Sequence, residues 1–172
     1  MILKISEKIS EETLEKLIAF YNEFNSKKMS DSEVTIYLLS GGGDCWAAEA
    51  MLDLINENSG STTLIGYGRL SSSAFQIFFT SKCKKKLIGG CYGMYHQSTF
   101  SVDINEFGNL DREDECKKQY MMNYMWNRTH SLSKQLQFTE KEMEDISKGL
   151  DVYFSPERMQ EFLTKQELVS QS

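Results

Sequence analysis

A chain of 172 residues with 40% hydrophobic side chains has the length and apolar content of a single folded domain, residues 1–172, with a core of its own. Its formal net charge of -6 argues against nucleic acid or an anionic membrane as the main partner, because both reward clustered Lys and Arg. No stretch approaches the ~18 apolar residues of a membrane span, and Lys4, Glu7 and Lys8 interrupt the start of the chain where an export signal needs an apolar run, so the expected location is the cytoplasm.

The first periodic segment is Glu11 to Phe24, where Leu14, Leu17, Ile18, Tyr21 and Phe24 recur at helical spacing and predict a helix with one buried stripe. Val34 to Leu39 is β-branched and aromatic, ends in Ser40-Gly41-Gly42-Gly43, and leads to Trp46 to Asn56, with Ala47, Met51, Leu54 and Ile55 on one helical face. The reading is strand, tight turn, helix. The pattern repeats at once: Thr62 to Tyr67 predicts a strand, Gly68 its turn, and Ser72 to Thr80 a short apolar helix. Two such units in tandem predict parallel strands joined by crossover helices, hence an α/β fold. The basic run Lys82 to Lys86, around Cys83, reads as a solvated turn.

Lys86 to Ile88 and Cys91 to Tyr95 then predict two short strands parted by Gly89-Gly90, and Gln97 to Asn109, which has no clear period, predicts a loop or extended edge. Leu110 to about Gln135 contains no Gly or Pro and predicts one long helix, whose middle (Tyr120, Met121, Met122, Tyr124, Met125, Trp126) is apolar on almost every side. Packing on one face cannot satisfy it, so self-association is expected. Thr139 with Glu142 forms a capping-box pattern whose helix should end near Gly149, leaving Asp151 just past a helix end. Ser155-Pro156 predicts the N-cap and first position of a last helix running toward Leu163, with fraying from Val169 onward.

Acyl transfer needs a hydroxyl made nucleophilic by an imidazole, a carboxylate that fixes the imidazole tautomer, and N–H groups aimed at the developing oxyanion. The chain has a candidate for each part. Ser72 sits where a strand end passes into a helix, flanked by Ser71 and Ser73, which blur the register. The N–H groups of Ser73 and Gly43 are the candidate oxyanion donors, and glycine at 43 is expected because a Cβ there would fill the space of the reacting carbonyl. Of the two histidines, His130 lies in the polar tail of the long helix and reads as a surface residue, whereas His96 ends an apolar strand and is the candidate base. Asp151 is the candidate acid. Nearly every chain this long contains Ser, His and Asp, so each alone is better read as structural, and the case rests on their company. The cysteines, Cys45, Cys83, Cys91 and Cys116, show no CxxC spacing and no His cluster, which predicts reduced thiols with neither metal nor cofactor. Cys45 lies two residues after Gly43 but has no His near it in sequence to activate it.

The run Tyr37-Leu38-Leu39-Ser40-Gly41-Gly42-Gly43 with its Ala-containing helix, then Gly68-Arg69-Leu70-Ser71-Ser72, then Met94-Tyr95-His96-Gln97, then Asp151-Val152-Tyr153-Phe154-Ser155 resembles the proteolytic subunit of Clp-type proteases, the ClpP family, in the same order from Ile36 to Phe162. The resemblance implies an α/β spiral of ββα units, the ClpP/crotonase fold, with a protruding handle helix. It implies a serine endopeptidase with Ser72 as nucleophile, His96 as base, Asp151 as acid, and Gly43 and Ser73 as oxyanion hole. Gly42, Gln97 and Ser98 are the expected substrate-binding positions, holding an extended peptide by strand addition. Counting from Gly42-Gly43 and from Gly68 gives Ser72, while counting backward from His96 favours Ser71 by one residue, so the order of preference is Ser72, Ser71, Ser73. The resemblance also implies peptide or unfolded-protein substrates, a homo-oligomeric ring, and an ATP-driven unfoldase partner, for which no docking segment is recognisable. Two alternatives stand beside this reading. One is a catalytically weak ring or binding subunit; the other is a crotonase-like acyl-CoA enzyme, which shares the oxyanion geometry but needs no Ser–His–Asp set in this order.

Overall fold

The computed structural model describes residues 1–27, 33–97 and 112–169. In chain order these form β1 (Ile2–Ile5), α1 (Glu11–Ser26), β2 (Val34–Ser40), α2 (Cys45–Glu57), β3 (Thr62–Ser71), α3 (Ser73–Thr80), β4 (Lys84–Tyr95), α4 (Arg112–Leu136), α5 (Glu140–Ser147), β5 (Val152–Phe154) and α6 (Pro156–Val169). The sheet runs β1-β2-β3-β4-β5, parallel through β4, with β5 antiparallel at the far edge. Parallel neighbours need a crossover, and α1, α2 and α3 supply one each. The expected α/β class is what the chain adopts.

Alternation along β2 buries Val34, Ile36 and Leu38, while the opposite face carries Tyr37 edge-on to Tyr67 at 6.1 Å. Residues Ser73 to Phe79 of α3 are all buried, so this helix runs through the core rather than over it. Phe75 meets Phe154 at 5.3 Å and Tyr95 at 5.6 Å, and Phe138 and Phe162 close the same aromatic block. That block locks β5 onto β4. The capping box of Thr139 and Glu142, and the Ser155 hydroxyl accepting from the Arg158 N–H, open α5 and α6 where the sequence places them.

Several expectations are corrected. β1 and β5 have no counterpart in the sequence reading. Gly68 does not end β3, nor do Gly89-Gly90 split β4: both strands run on through a bulge, where Tyr67 pairs with Ile88 but Arg69 with Tyr92, and Gly68 and Gly89 take φ of 61° and 62°. In α1 the buried stripe is Thr13, Leu17, Phe20 and Tyr21, and Ile18 faces out; Thr13 can be buried because its hydroxyl donates to the Lys8 carbonyl at 2.8 Å. The loop expected over Gln97 to Asn109 lies outside the described residues after Gln97.

The basic run is solvated at Lys82, Lys84 and Lys86 as expected, but Lys84 to Lys86 open β4 rather than form a turn, and Lys85 departs from the rest. Lys85 points inward, and its ammonium donates to the carbonyls of Ser81 (2.7 Å) and Phe79 (3.4 Å) and to Gln166 Oε1 (3.2 Å), closing the end of α3. Burial pushes its pKa down to about 8. Between there and the ~10.4 of a free lysine, the folded chain has released a proton that the unfolded chain still holds, so stability rises with pH across that window, by on the order of 1–3 kcal/mol before the oxygen acceptors trim it. The thiols of Cys83 and Cys91 are pushed up by burial, Cys91 to about 11, and titration of the unfolded thiols pulls stability the other way. The informative quantity is therefore the difference between wild type and Lys85→Met. Urea midpoints that run parallel in the two proteins from about pH 8 to 10 would rule out the shifted amine.

Helix α4 docks by its C-terminal half, where Thr129, Leu132, Ser133 and Leu136 are buried, Arg128 holds Glu49 of α2, and the hydroxyls of Thr129 and Tyr95 share a 3.1 Å hydrogen bond. Earlier in the helix Tyr120 (63% exposed), Met122 and Trp126 face outward, whereas Met125 is buried. His130 is half-buried rather than fully at the surface, its Nδ1–H donating to the Trp126 carbonyl at 3.1 Å. Among the described residues no helix is long and apolar enough to cross a membrane.

Candidate active site

Ser72 leaves β3 and caps α3 with φ 53° and ψ -123°, a conformation that L residues avoid. Such strain costs ~1–3 kcal/mol and persists only where the surroundings over-determine it. Here the Ser72 N–H donates to the Met94 carbonyl of β4 at 2.8 Å, and its carbonyl accepts from the Gln76 N–H at 3.1 Å. The turn throws the side chain out of the sheet at the carboxyl end of a strand, the geometry of a nucleophile elbow.

His96 follows β4 directly, and Asp151 precedes β5. The antiparallel register pairs Gly93 with Phe154, Met94 with Tyr153 and Tyr95 with Val152, so its next step sets His96 opposite Asp151. His96 Nδ1 lies 3.1 Å from Asp151 Oδ1, and Nε2 lies 2.8 Å from Ser72 Oγ. A carboxylate only accepts, so in the neutral ring Nδ1 carries the proton and donates it; Nε2 is left to accept from the Ser72 hydroxyl. The sequence missed the strand that builds this contact. Its signal was the triplet Val152-Tyr153-Phe154, β-branched and aromatic, bounded by Gly149 and Pro156.

The glycine run lies against the turn at Ser72. Gly43 forms a parallel bridge to Ile9, through Ile9 N–H to the Gly42 carbonyl (3.0 Å) and Asp44 N–H to the Ile9 carbonyl (2.9 Å). In such a bridge the N–H of Gly43 itself points away from Ile9. A Cβ at Gly43 would strike the Ile9 carbonyl and the Lys8 stem, not the space beside Ser72, contrary to expectation. Gly42 (φ 90°) is the residue whose missing side chain matters at Ser72: a Cβ there would stand 2.7 Å from Ser72 Cβ and 3.1 Å from the Ser73 nitrogen. Ser73 is buried at the first position of α3 with its hydroxyl unpartnered among the described residues. Gln97 is half-buried beside His96, and Ser98 falls outside the described residues.

These elements enclose an open crevice of about 480 Å³, lined by Leu39 to Gly43, Cys45, Arg69, Ser72, His96 and, from the segment after β1, Ser6, Glu7 and Lys8. Its place at the carboxyl ends of parallel strands is where α/β sheets bind ligands. A family model described as Clp protease matches residues 1–158. The chain belongs to the Clp protease family. A search of curated proteins finds no match. The family match includes β1 and α1, ahead of Ile36, and those elements bring Glu7 and Lys8 to the crevice of this Clp protease family member. Cys45 also lines it, so a histidine absent from its neighbourhood in sequence stands in the same crevice in space. Arg69, to which the sequence assigns no role, also lines the crevice. Among the described residues no His, Cys, Asp and Glu cluster is arranged to hold a metal ion.

Proposed function

We propose that this Clp protease family member is a serine endopeptidase, a reading carried by the continuous hydrogen-bonded chain from Ser72 Oγ through His96 to Asp151. Ser72 Oγ attacks the scissile carbonyl carbon while its proton passes to His96 Nε2; Asp151 steadies the imidazolium from Nδ1. The carbonyl oxygen, now an oxyanion, is met by the N–H groups of Gly43 and Ser73. Collapse expels the amine, which takes the proton from Nε2, and water repeats the sequence on the acyl-enzyme. Gly42, Gln97 and Ser98 pair with an extended peptide, Gly42 by leaving the nucleophile unobstructed. No cofactor enters this cycle.

The reading extends to a single domain whose copies assemble into a ring, with an ATP-driven unfoldase as partner; the family is one of ring-forming peptidases that work with unfoldases. The handle is α4. Its outward Tyr120, Met122 and Trp126 make an apolar surface that a monomer would leave wet. Met122→Asp or Trp126→Asp should shift sedimentation toward smaller species, and a wild-type chain that stays monomeric at micromolar concentration would remove this role. For the peptidase itself the deciding test is a fluorophosphonate probe on the folded protein. Modification mapped to Ser72 is expected; an unlabelled serine in a folded, assembled sample sinks the reading.

A further inference from the structure

For an acidic chain, the crevice beside Ser72 has an uneven charge. It is lined by two cations, Lys8 and Arg69, and one carboxylate, Glu7. Glu7 is already engaged, because the Lys16 ammonium donates to Oε1 and the Ser6 N–H to Oε2 at 3.0 Å, and the Lys16 bond holds its carboxyl below the usual range. Among the described residues neither Lys8 nor Arg69 has a carboxylate partner, whereas Arg128 holds Glu49 and Arg158 holds Glu142 and Glu161. Arg69 is also placed with care. Arg69 follows the bulge at Gly68 and stays in β3, paired with Tyr92, and its guanidinium lies over Gly41, with a terminal nitrogen 2.8 Å from where a Cβ at Gly41 would stand. A glycine there leaves the fork room to lie in the crevice wall.

We propose that this crevice takes a peptide carboxylate, with Arg69 and Lys8 as its counter-charges, so that acidic peptides are the preferred substrates. The proposal rests on the peptidase reading above. A planar guanidinium matches a carboxylate with two parallel hydrogen bonds, and the excess of positive charge left once Lys16 engages Glu7 concentrates its field in the crevice, while the net charge of -6 repels such peptides elsewhere. The carboxylate is either an Asp or Glu side chain near the scissile bond or the free carboxyl terminus of the peptide.

The test uses peptides of one sequence carrying Glu or Gln at a single position with an amidated end, and the Gln peptide with a free carboxyl end. Binding is read by fluorescence anisotropy on the full chain with Ser72→Ala, and hydrolysis on the wild type. The Glu peptide, the free-acid peptide, or both should bind and turn over about five- to tenfold better than the amidated Gln peptide at low salt, less so at high salt. Which of the two gains identifies the source of the carboxylate. Arg69→Gln should bring the ratio toward one, and Arg69→Lys should keep part of it. A ratio at or below one for both acids, or one that survives both Arg69→Gln and Lys8→Gln, overturns the proposal. A ratio of one with Ser72 still labelled by fluorophosphonate leaves the peptidase reading standing alone; an intact ratio without labelling does the reverse.

Discussion

Ser72→Ala is expected to abolish fluorophosphonate labelling and lower peptide hydrolysis by roughly 10⁶-fold, leaving the background that oxyanion donors and binding provide. The neighbouring serines are internal controls of equal chemistry. Ser73 contributes a backbone N–H to the proposed site, and its hydroxyl is buried without a partner, so Ser73→Ala should keep activity and cost no stability. Ser71 is the last residue of β3, buried and paired with Met94, one position before the chain turns. Ser71→Ala should be intermediate at most. Only Ser72 has its Oγ at 2.8 Å from the imidazole. Labelling that survives Ser72→Ala but disappears in Ser71→Ala would show that the nucleophile lies one residue earlier than the geometry indicates.

Why the triplet was ambiguous on paper, and is not in space, lies in the backbone. A one-residue slip along a strand reverses the side-chain face, but Ser72 is past the strand, at positive φ, and no propensity scale assigns a serine to that conformation. What could be read in advance was local: strand and helix repeated, the glycine turn after β2, the capping box at Thr139, proline at the first turn of α6. Local chemistry writes these signals, each within a few residues. The parts that were missed are settled by distant partners. β5 is three residues long and exists because Phe154 joins Phe75, Phe138 and Phe162. Lys85 is inside because the end of α3 and Gln166, far along the chain, offer it oxygens. β1 is short and Lys4 breaks its apolar run, so only pairing along β2 makes it a strand. The consequence reached the site: without β5 in view, Asp151 could be placed after a helix, but not opposite His96.

Asp151→Asn is expected to lower peptide turnover and the rate of fluorophosphonate labelling by about 10⁴-fold, with the fold intact. The carboxylate can only accept, so it selects the tautomer with the proton on Nδ1 and leaves Nε2 free to take the proton of Ser72. An amide can turn its NH₂ toward Nδ1, which then accepts, and the ring proton moves to Nε2. There it faces the Ser72 hydroxyl as a donor, and the base is lost while every heavy atom stays in place. Stability should change by no more than ~0.5 kcal/mol, because the Asp151 side chain is 46% exposed and pairs only with His96 among the described residues. A melting temperature near wild type therefore belongs to the expected result, and it separates loss of the base from loss of the fold. Unchanged hydrolysis in Asp151→Asn would return this residue to a turn after Gly149 and leave His96 to be oriented by some other group.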